Sequence, residues 1–207
     1  YIDNNIQLII NILKKECYLT DNYILNDKAY ISMQLQEVNS LAIADTYMHF
    51  NGFKNISTQE LVSIFSCFTN ISLQEDKKQF TPSKKNINVY NTSCYIIERM
   101  EYYKDQEIKN NLYTGLECQY NFDLINYIYE WCNCSNENEC KYIIDLMKCE
   151  TEIFLGEFIK AILKINNIAL EMENVCETLE NIDLLKKLRE IPELTLKYIA
   201  TNQSLYI

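Results

Sequence analysis

The chain has 207 residues, of which 48% are hydrophobic, and it contains only 3 Gly and 2 Pro. This composition excludes a disordered tail and is sufficient for one hydrophobic core. The formal net charge of −10 argues against a surface that binds nucleic acid nonspecifically, so any contact with a polyanion has to be local. No run of about 18 apolar residues exists, and we expect no membrane partner.

The cysteine content predicts the compartment. Nine Cys, an odd number without regular spacing, are typical of an intracellular, reducing environment, which is the cytoplasm or the nucleus. The abundance of Asn, Ile, Lys and Tyr indicates an AT-rich genome, such as that of a large DNA virus or a protist. Because the chain starts with Tyr1 and not with Met, we expect it to be part of a longer protein.

The N-terminal quarter of the chain predicts a helix followed by a small β element. Residues 4–16 place their apolar side chains on one face of a short amphipathic helix. Residues 17–31 combine strand-forming Tyr, Leu and Ile with turn-forming Asn and Asp, and so predict a β-hairpin or wing. Residues 40–49 predict a second helix. We therefore group residues 1–57 as a segment that precedes the main bundle.

The remaining residues, 58–207, predict an all-α helical bundle. Ser57 or Thr58 caps its first helix. The stretch at about 69–90 contains a Pro and lacks periodicity, so we predict a mobile surface loop there. Pro192 predicts a break in the last helix, because proline disfavours the helical conformation of the residue before it. Further helices are predicted over residues 92–111, 123–131, 141–148 and 184–198.

The bundle is predicted to form around one central helix, residues 156–171. Apolar side chains cover most of the circumference of this helix, as in a helix buried among neighbours. A narrow polar stripe with Lys160, Lys164, Asn167 and Glu171 lies opposite its apolar face, and this stripe is the one surface that a ligand can use. The residues predicted on the apolar face are Phe158, Ala161, Ile162, Ile165 and Ala169.

Two other groups of residues could carry chemistry. Four thiolates can hold zinc, but the spacing CxC-x5-C-x8-C lacks the usual CxxC pairs, so we predict free thiols and no metal. The four cysteines with this spacing are Cys132, Cys134, Cys140 and Cys149.

His49 has no acidic or thiol partner near it in the sequence, and we predict a partly buried loop histidine without a catalytic role.

Four segments of the chain, taken in order, resemble a known domain. They are ELVSIFSCF at 60–68, LINYIYEWC at 124–132, FLGEFIKAILKINNI at 154–168 and the terminal SLYI at 204–207. They resemble the DSHCT domain, the C-terminal helical bundle of DExH-box RNA helicases of the exosome-cofactor type, the superkiller and mRNA-export helicases. The earlier YLTDNYILNDKAYIS resembles the segment that precedes this domain. The resemblance therefore covers nearly the whole chain.

The resemblance implies an accessory domain whose long inner helix acts as a ratchet along single-stranded RNA. In the family, basic residues follow a Gly by four and eight positions, and Lys160 and Lys164 match them here. Asn167 stands where an acidic residue is common, and Lys197 matches a basic position before the terminal motif. The acidic residue that the family carries shortly after SCF has no match in residues 69–72. We therefore predict RNA contacts at Lys160, Lys164, Asn167 and Lys197.

The predicted function is a C-terminal accessory domain of an ATP-dependent RNA helicase, which guides RNA during unwinding or RNA decay. The chain has neither a GxxxxGK[ST] loop nor a DExH stretch, so ATP and Mg are expected in the motor domains upstream and no cofactor or catalytic residue in this chain. Expected partners are single-stranded RNA, those motor domains, and RNA-decay machinery or adaptor proteins. The alternative is a protein-docking module that braces the motor or recruits adaptors without touching RNA.

Overall fold

The computed structural model describes residues 2–71, 73–115 and 119–198. Over these residues the chain forms nine helices and no β-strand, which confirms the predicted all-α class. None of these helices is long and apolar enough to cross a membrane. The helices are α1 (Ile2–Lys15), α2 (Asp27–Met33), α3 (Ser40–His49), α4 (Thr58–Ser66), α5 (Ile87–Asn110), α6 (Ile125–Asn133), α7 (Glu137–Thr151), α8 (Leu155–Leu179) and α9 (Ile182–Thr195).

The structure corrects the hairpin that we predicted at residues 17–31. One isolated antiparallel bridge joins Leu19 to Leu25, and Tyr23 in the turn between them has a φ of 62°. Asn26 directly follows this bridge and caps α2, because its side chain accepts a hydrogen bond from the backbone N–H of Ala29. The start of α2 leaves too few residues for two paired strands, and the segment forms a tight turn instead.

The main core lies where α4, α6, α8 and α9 pack against one another. Phe158, Ile162 and Ile165 of α8 are fully buried there, which confirms the predicted apolar face of the central helix. Trp131 of α6 is also fully buried, and its ring meets the ring of Phe158 edge-on with 5.1 Å between centroids. The central helix therefore uses its apolar face for this core, and its polar stripe is left for contacts outside it.

A buried carboxylate links the second layer of helices, in which α3 packs against α2 and α5. The Asp45 side chain is only 3% exposed, and two cations and two phenols surround it. Such a charge is tolerated in the interior only when its partners replace the lost hydration. The partners of Asp45 are Lys28 at 2.5 Å, Arg99 at 2.6 Å, Tyr103 at 2.7 Å and Tyr18 at 3.0 Å.

A second carboxylate, Glu60, joins the start of α4 to the start of α5. It forms the predicted cap with Ser57, whose backbone N–H donates to Glu60 at 2.7 Å. The side-chain amides of Asn86 and Asn88 donate to its other oxygen at 2.8 and 3.0 Å. Burial raises the pKa of Glu60, but these hydrogen bonds outweigh burial and the pKa lies below its usual value. Because Asn86 caps α5, this helix begins earlier than predicted.

Pro192 does not break the last helix, contrary to our prediction. Helix α9 continues through Pro192 to Thr195. Proline removes one intrahelical hydrogen bond, here the bond to the carbonyl of Leu188. The loss of this bond disturbs the helix little, because Pro192 lies in its last turn. The described residues between α4 and α5, 67–71 and 73–86, are not helical, in agreement with a loop. The mobility of this segment and the domain division at residue 57 stay predictions.

Candidate nucleic-acid interface

A groove of about 480 Å³ lies beside the N-terminal half of α8. One wall is the predicted polar stripe, and the other is the short segment that follows α4 and its SCF sequence. Side chains four residues apart on a helix share a face, so both lysines of the stripe reach this groove. The lining residues are Thr69, Asn70, Ile71, Glu157, Lys160, Ala161 and Lys164.

The two lysines of the groove differ in their surroundings. Lys160 is exposed, and no carboxylate lies within ion-pair distance of it over residues 2–71, 73–115 and 119–198. The Nζ atom of Lys164 lies 3.7 Å from a carboxylate oxygen of Glu37, and the Lys164 side chain is 22% exposed. Lys160 is therefore open to a ligand, whereas Lys164 already has an internal anion beside it.

The stripe continues from the lysines towards the middle of α8. Asn167 is exposed, so its amide is accessible, and its contact with RNA stays a prediction. Glu171, one turn further, accepts hydrogen bonds from the backbone N–H groups of Gln36 and Glu37 at 3.0 and 3.1 Å. The loop between α2 and α3 thus occupies this end of the stripe, and the accessible part of the stripe runs from Lys160 to Asn167.

Lys197 is not among the residues that line the groove. Its ammonium donates to the backbone carbonyls of Cys132 at 3.1 Å and Cys134 at 2.8 Å, at the C-terminal end of α6. A cation stabilises this end of a helix, where carbonyl groups lack intrahelical partners. The position of Lys197 is therefore explained by helix capping, and its contact with RNA stays a prediction.

The cysteines of the zinc hypothesis have different environments. Cys132 and Cys140 are buried, whereas Cys149 is exposed. Burial raises the pKa of the Cys132 and Cys140 thiols to about 12, so both are protonated at neutral pH. In the part of the chain that the structure describes, no group of three or more His, Cys, Asp or Glu residues is placed to hold a metal ion.

His49 is the last residue of α3 and is exposed, so our prediction of a partly buried loop residue is wrong. Its ring stacks on the ring of Tyr95 with 4.1 Å between centroids and 14° between planes. Phe50 packs edge-on against the same imidazole at 4.9 Å. This aromatic contact accounts for the position of His49, and the absence of a catalytic role stays a prediction.

The sequence did not reveal Glu37 as a neighbour of the lysines, whereas Glu157 is visible in it as a nearby carboxylate, one turn before Lys160 on the central helix. Glu37 lies far from Lys164 in the sequence, and no local pattern places the two side chains together. The sequence did indicate that the segment around Asn70 could line the site, because this segment follows SCF, and the DSHCT domain carries an acidic residue at that place.

The DSHCT (NUC185) domain family matches residues 22–200 of the chain. The matched stretch includes helices α2 to α9, and it begins inside the segment that we predicted to precede the domain. No curated protein matches the chain. The terminal SLYI at 204–207, one of the four segments in the resemblance, lies outside both the match and the described residues.

Proposed function

The chain belongs to the DSHCT domain family, which is found in DExH-box helicases, and on this premise we propose that it guides single-stranded RNA along α8. It does so as the C-terminal accessory domain of a helicase whose motor domains bind ATP and Mg. The observation that carries the proposal is the open groove that Lys160 and Lys164 share. RNA-decay machinery or adaptor proteins are the further partners of such a helicase.

The spacing of the two lysines suits a nucleic-acid backbone. Lys160 and Lys164 are one turn apart, about 6 Å along the axis of α8. Each ammonium group can contact a different phosphate of a strand that lies along the helix. Lysine binds phosphate as a point charge without the planar fork of arginine, so its contact is easily exchanged. This property fits a surface over which a motor pulls RNA.

The opposite wall of the groove supplies uncharged polar groups. The hydroxyl of Thr69 donates to the carbonyl of Ser66 at 2.6 Å, so this hydroxyl stabilises the end of α4. Asn70 is exposed at the groove, and its amide can both donate to and accept from a ribose or a base. Because phosphate contacts position a strand without reading its sequence, we expect little base specificity.

Binding of a fluorescent single-stranded RNA to the 207-residue chain, measured by anisotropy at several salt concentrations, tests this proposal. We expect saturable binding that weakens with salt. Lys160→Ala/Lys164→Ala should weaken binding and make the dependence of log K on log salt shallower, by up to about 0.7 for each lost phosphate contact. The control is Lys104→Ala/Lys109→Ala, which removes two exposed lysines of α5 and the same charge.

Equal affinities and salt slopes for the two double variants would contradict the proposal, as would absence of binding. A protein-docking module is the second candidate function. The observation that favours it is the presence of two carboxylates near the lysines, since Glu157 lines the groove and Glu37 lies beside Lys164, and two positive and two negative charges leave no formal net charge there. A polypeptide of mixed charge would suit such a surface.

A further inference from the structure

Glu37 reaches the polar stripe of α8 from the loop between α2 and α3. Its carboxylate lies 3.7 Å from the Nζ atom of Lys164. The loop is held on α8 by a different contact, since Glu171 accepts from the backbone N–H groups of Gln36 and Glu37. The loop is therefore anchored to Glu171 through its backbone N–H groups, and the ion pair between the Glu37 side chain and Lys164 is an additional contact.

The contact between Glu37 and Lys164 is weak enough to be exchanged. The Glu37 side chain is 37% exposed, so water competes with the lysine for its carboxylate. Exposed ion pairs of this kind contribute little free energy to a fold. A phosphate and a carboxylate are both oxygen anions, and an ammonium group binds either of them. A phosphate in the groove and Glu37 therefore compete for the same cation.

We propose that Glu37 is an internal competitor for the RNA phosphate at Lys164. This inference rests on the proposed function of the groove. An arriving phosphate displaces the Glu37 carboxylate, and when the phosphate leaves, the carboxylate returns to Lys164. The ammonium group keeps an anion beside it at both stages, so release of the phosphate costs less free energy. Glu37 thus lowers the affinity of the groove and shortens the residence time of RNA, which suits a strand in motion.

The test is Glu37→Gln, which keeps the backbone donors to Glu171 and removes the charge. With a fluorescent single-stranded oligouridine, we expect its affinity to rise by up to about fivefold over wild type, mainly through slower dissociation. Glu101→Gln is the matched control, because Glu101 is exposed on α5, outside the groove, and changes the net charge equally. In a Lys164→Ala background, Glu37→Gln should no longer change the affinity.

Two results separate the inference from the function on which it rests. If binding depends on Lys160 and Lys164 but Glu37→Gln behaves like Glu101→Gln, the competitor role is overturned and the RNA-guiding function stands. If RNA binding does not depend on the two lysines, the proposed function fails and the competitor role fails with it. Circular dichroism of each variant confirms that the comparison is between folded proteins.

Discussion

Asp45→Asn lowers the free energy of unfolding by about 3–5 kcal/mol, the range for removal of one partner from a buried ion pair. The substitution keeps the size of the side chain but removes its charge. Arg99 and Lys28, whose side chains are each only 17% exposed, then lose the anion between them. Glu16 still contacts Arg99 at 2.7 Å, and this remaining pair keeps the loss from being larger.

The pKa values of the neighbours of Asp45 reflect its charge. Burial alone lowers the pKa of Arg99, but its hydrogen bond with Tyr103 and the charge of Asp45 outweigh burial and raise it. Burial raises the pKa of Tyr103, and the nearby Asp45 carboxylate raises it further. At neutral pH, Arg99 is therefore charged and Tyr103 is a neutral hydrogen-bond donor.

Urea denaturation at neutral pH, followed by far-ultraviolet circular dichroism, measures this loss. The control is Asp145→Asn, which makes the same change at an exposed position of α7 and should stay within about 0.5 kcal/mol of wild type. A loss below about 1 kcal/mol for Asp45→Asn would contradict the account, because exposed substitutions already reach about half that value.

Trp131→Ala is the second change with a large expected effect, about 3–5 kcal/mol of unfolding free energy. The indole is fully buried and packs edge-on against Phe158 of α8. Its Nε1–H donates to the carbonyl of Thr195 at the end of α9, at 3.1 Å. One side chain therefore joins three helices, and its removal leaves both a cavity and an unpaired carbonyl.

Trp131→Phe separates the two contributions, because it keeps an aromatic ring but removes the donor. We expect a loss of about 1–3 kcal/mol for this variant, the cost of a buried polar group without its partner. Circular dichroism in urea is the suitable readout, since Trp131 is the single tryptophan of the chain. Tyr142→Ala, an exposed aromatic on α7, is the control. Equal stability of Trp131→Ala and Tyr142→Ala would contradict the assigned packing.

Local patterns predicted the parts of the fold that depend on local physics. Helical periodicity placed the buried face of α8, and the Ser57 cap placed the start of α4, because both depend on residues a few positions apart. The same reasoning put Lys160 and Lys164 on one face. It failed at residues 17–31, where strand propensity lost to the cap of α2 at Asn26.

Contacts between distant residues could not be predicted in this way. Asp45 and Arg99 are 54 positions apart, and each looks like an ordinary polar residue of its own helix. Glu37 lies in the loop after α2 and Lys164 lies on α8, and the packing of α2 against α8 brings the two side chains together. Such pairs are set by the packing of whole helices, for which one sequence carries no periodic signal.

Photocrosslinking of a single-stranded RNA that contains 4-thiouridine, with the crosslinked residues identified by mass spectrometry, tests the central claim most directly. The account predicts crosslinks at residues 69–71 and on α8 between Glu157 and Asn167, the two walls of the groove. It also predicts their loss in Lys160→Ala/Lys164→Ala. Crosslinks confined to other surfaces, with none on either wall of the groove, would contradict the claim that RNA runs along α8.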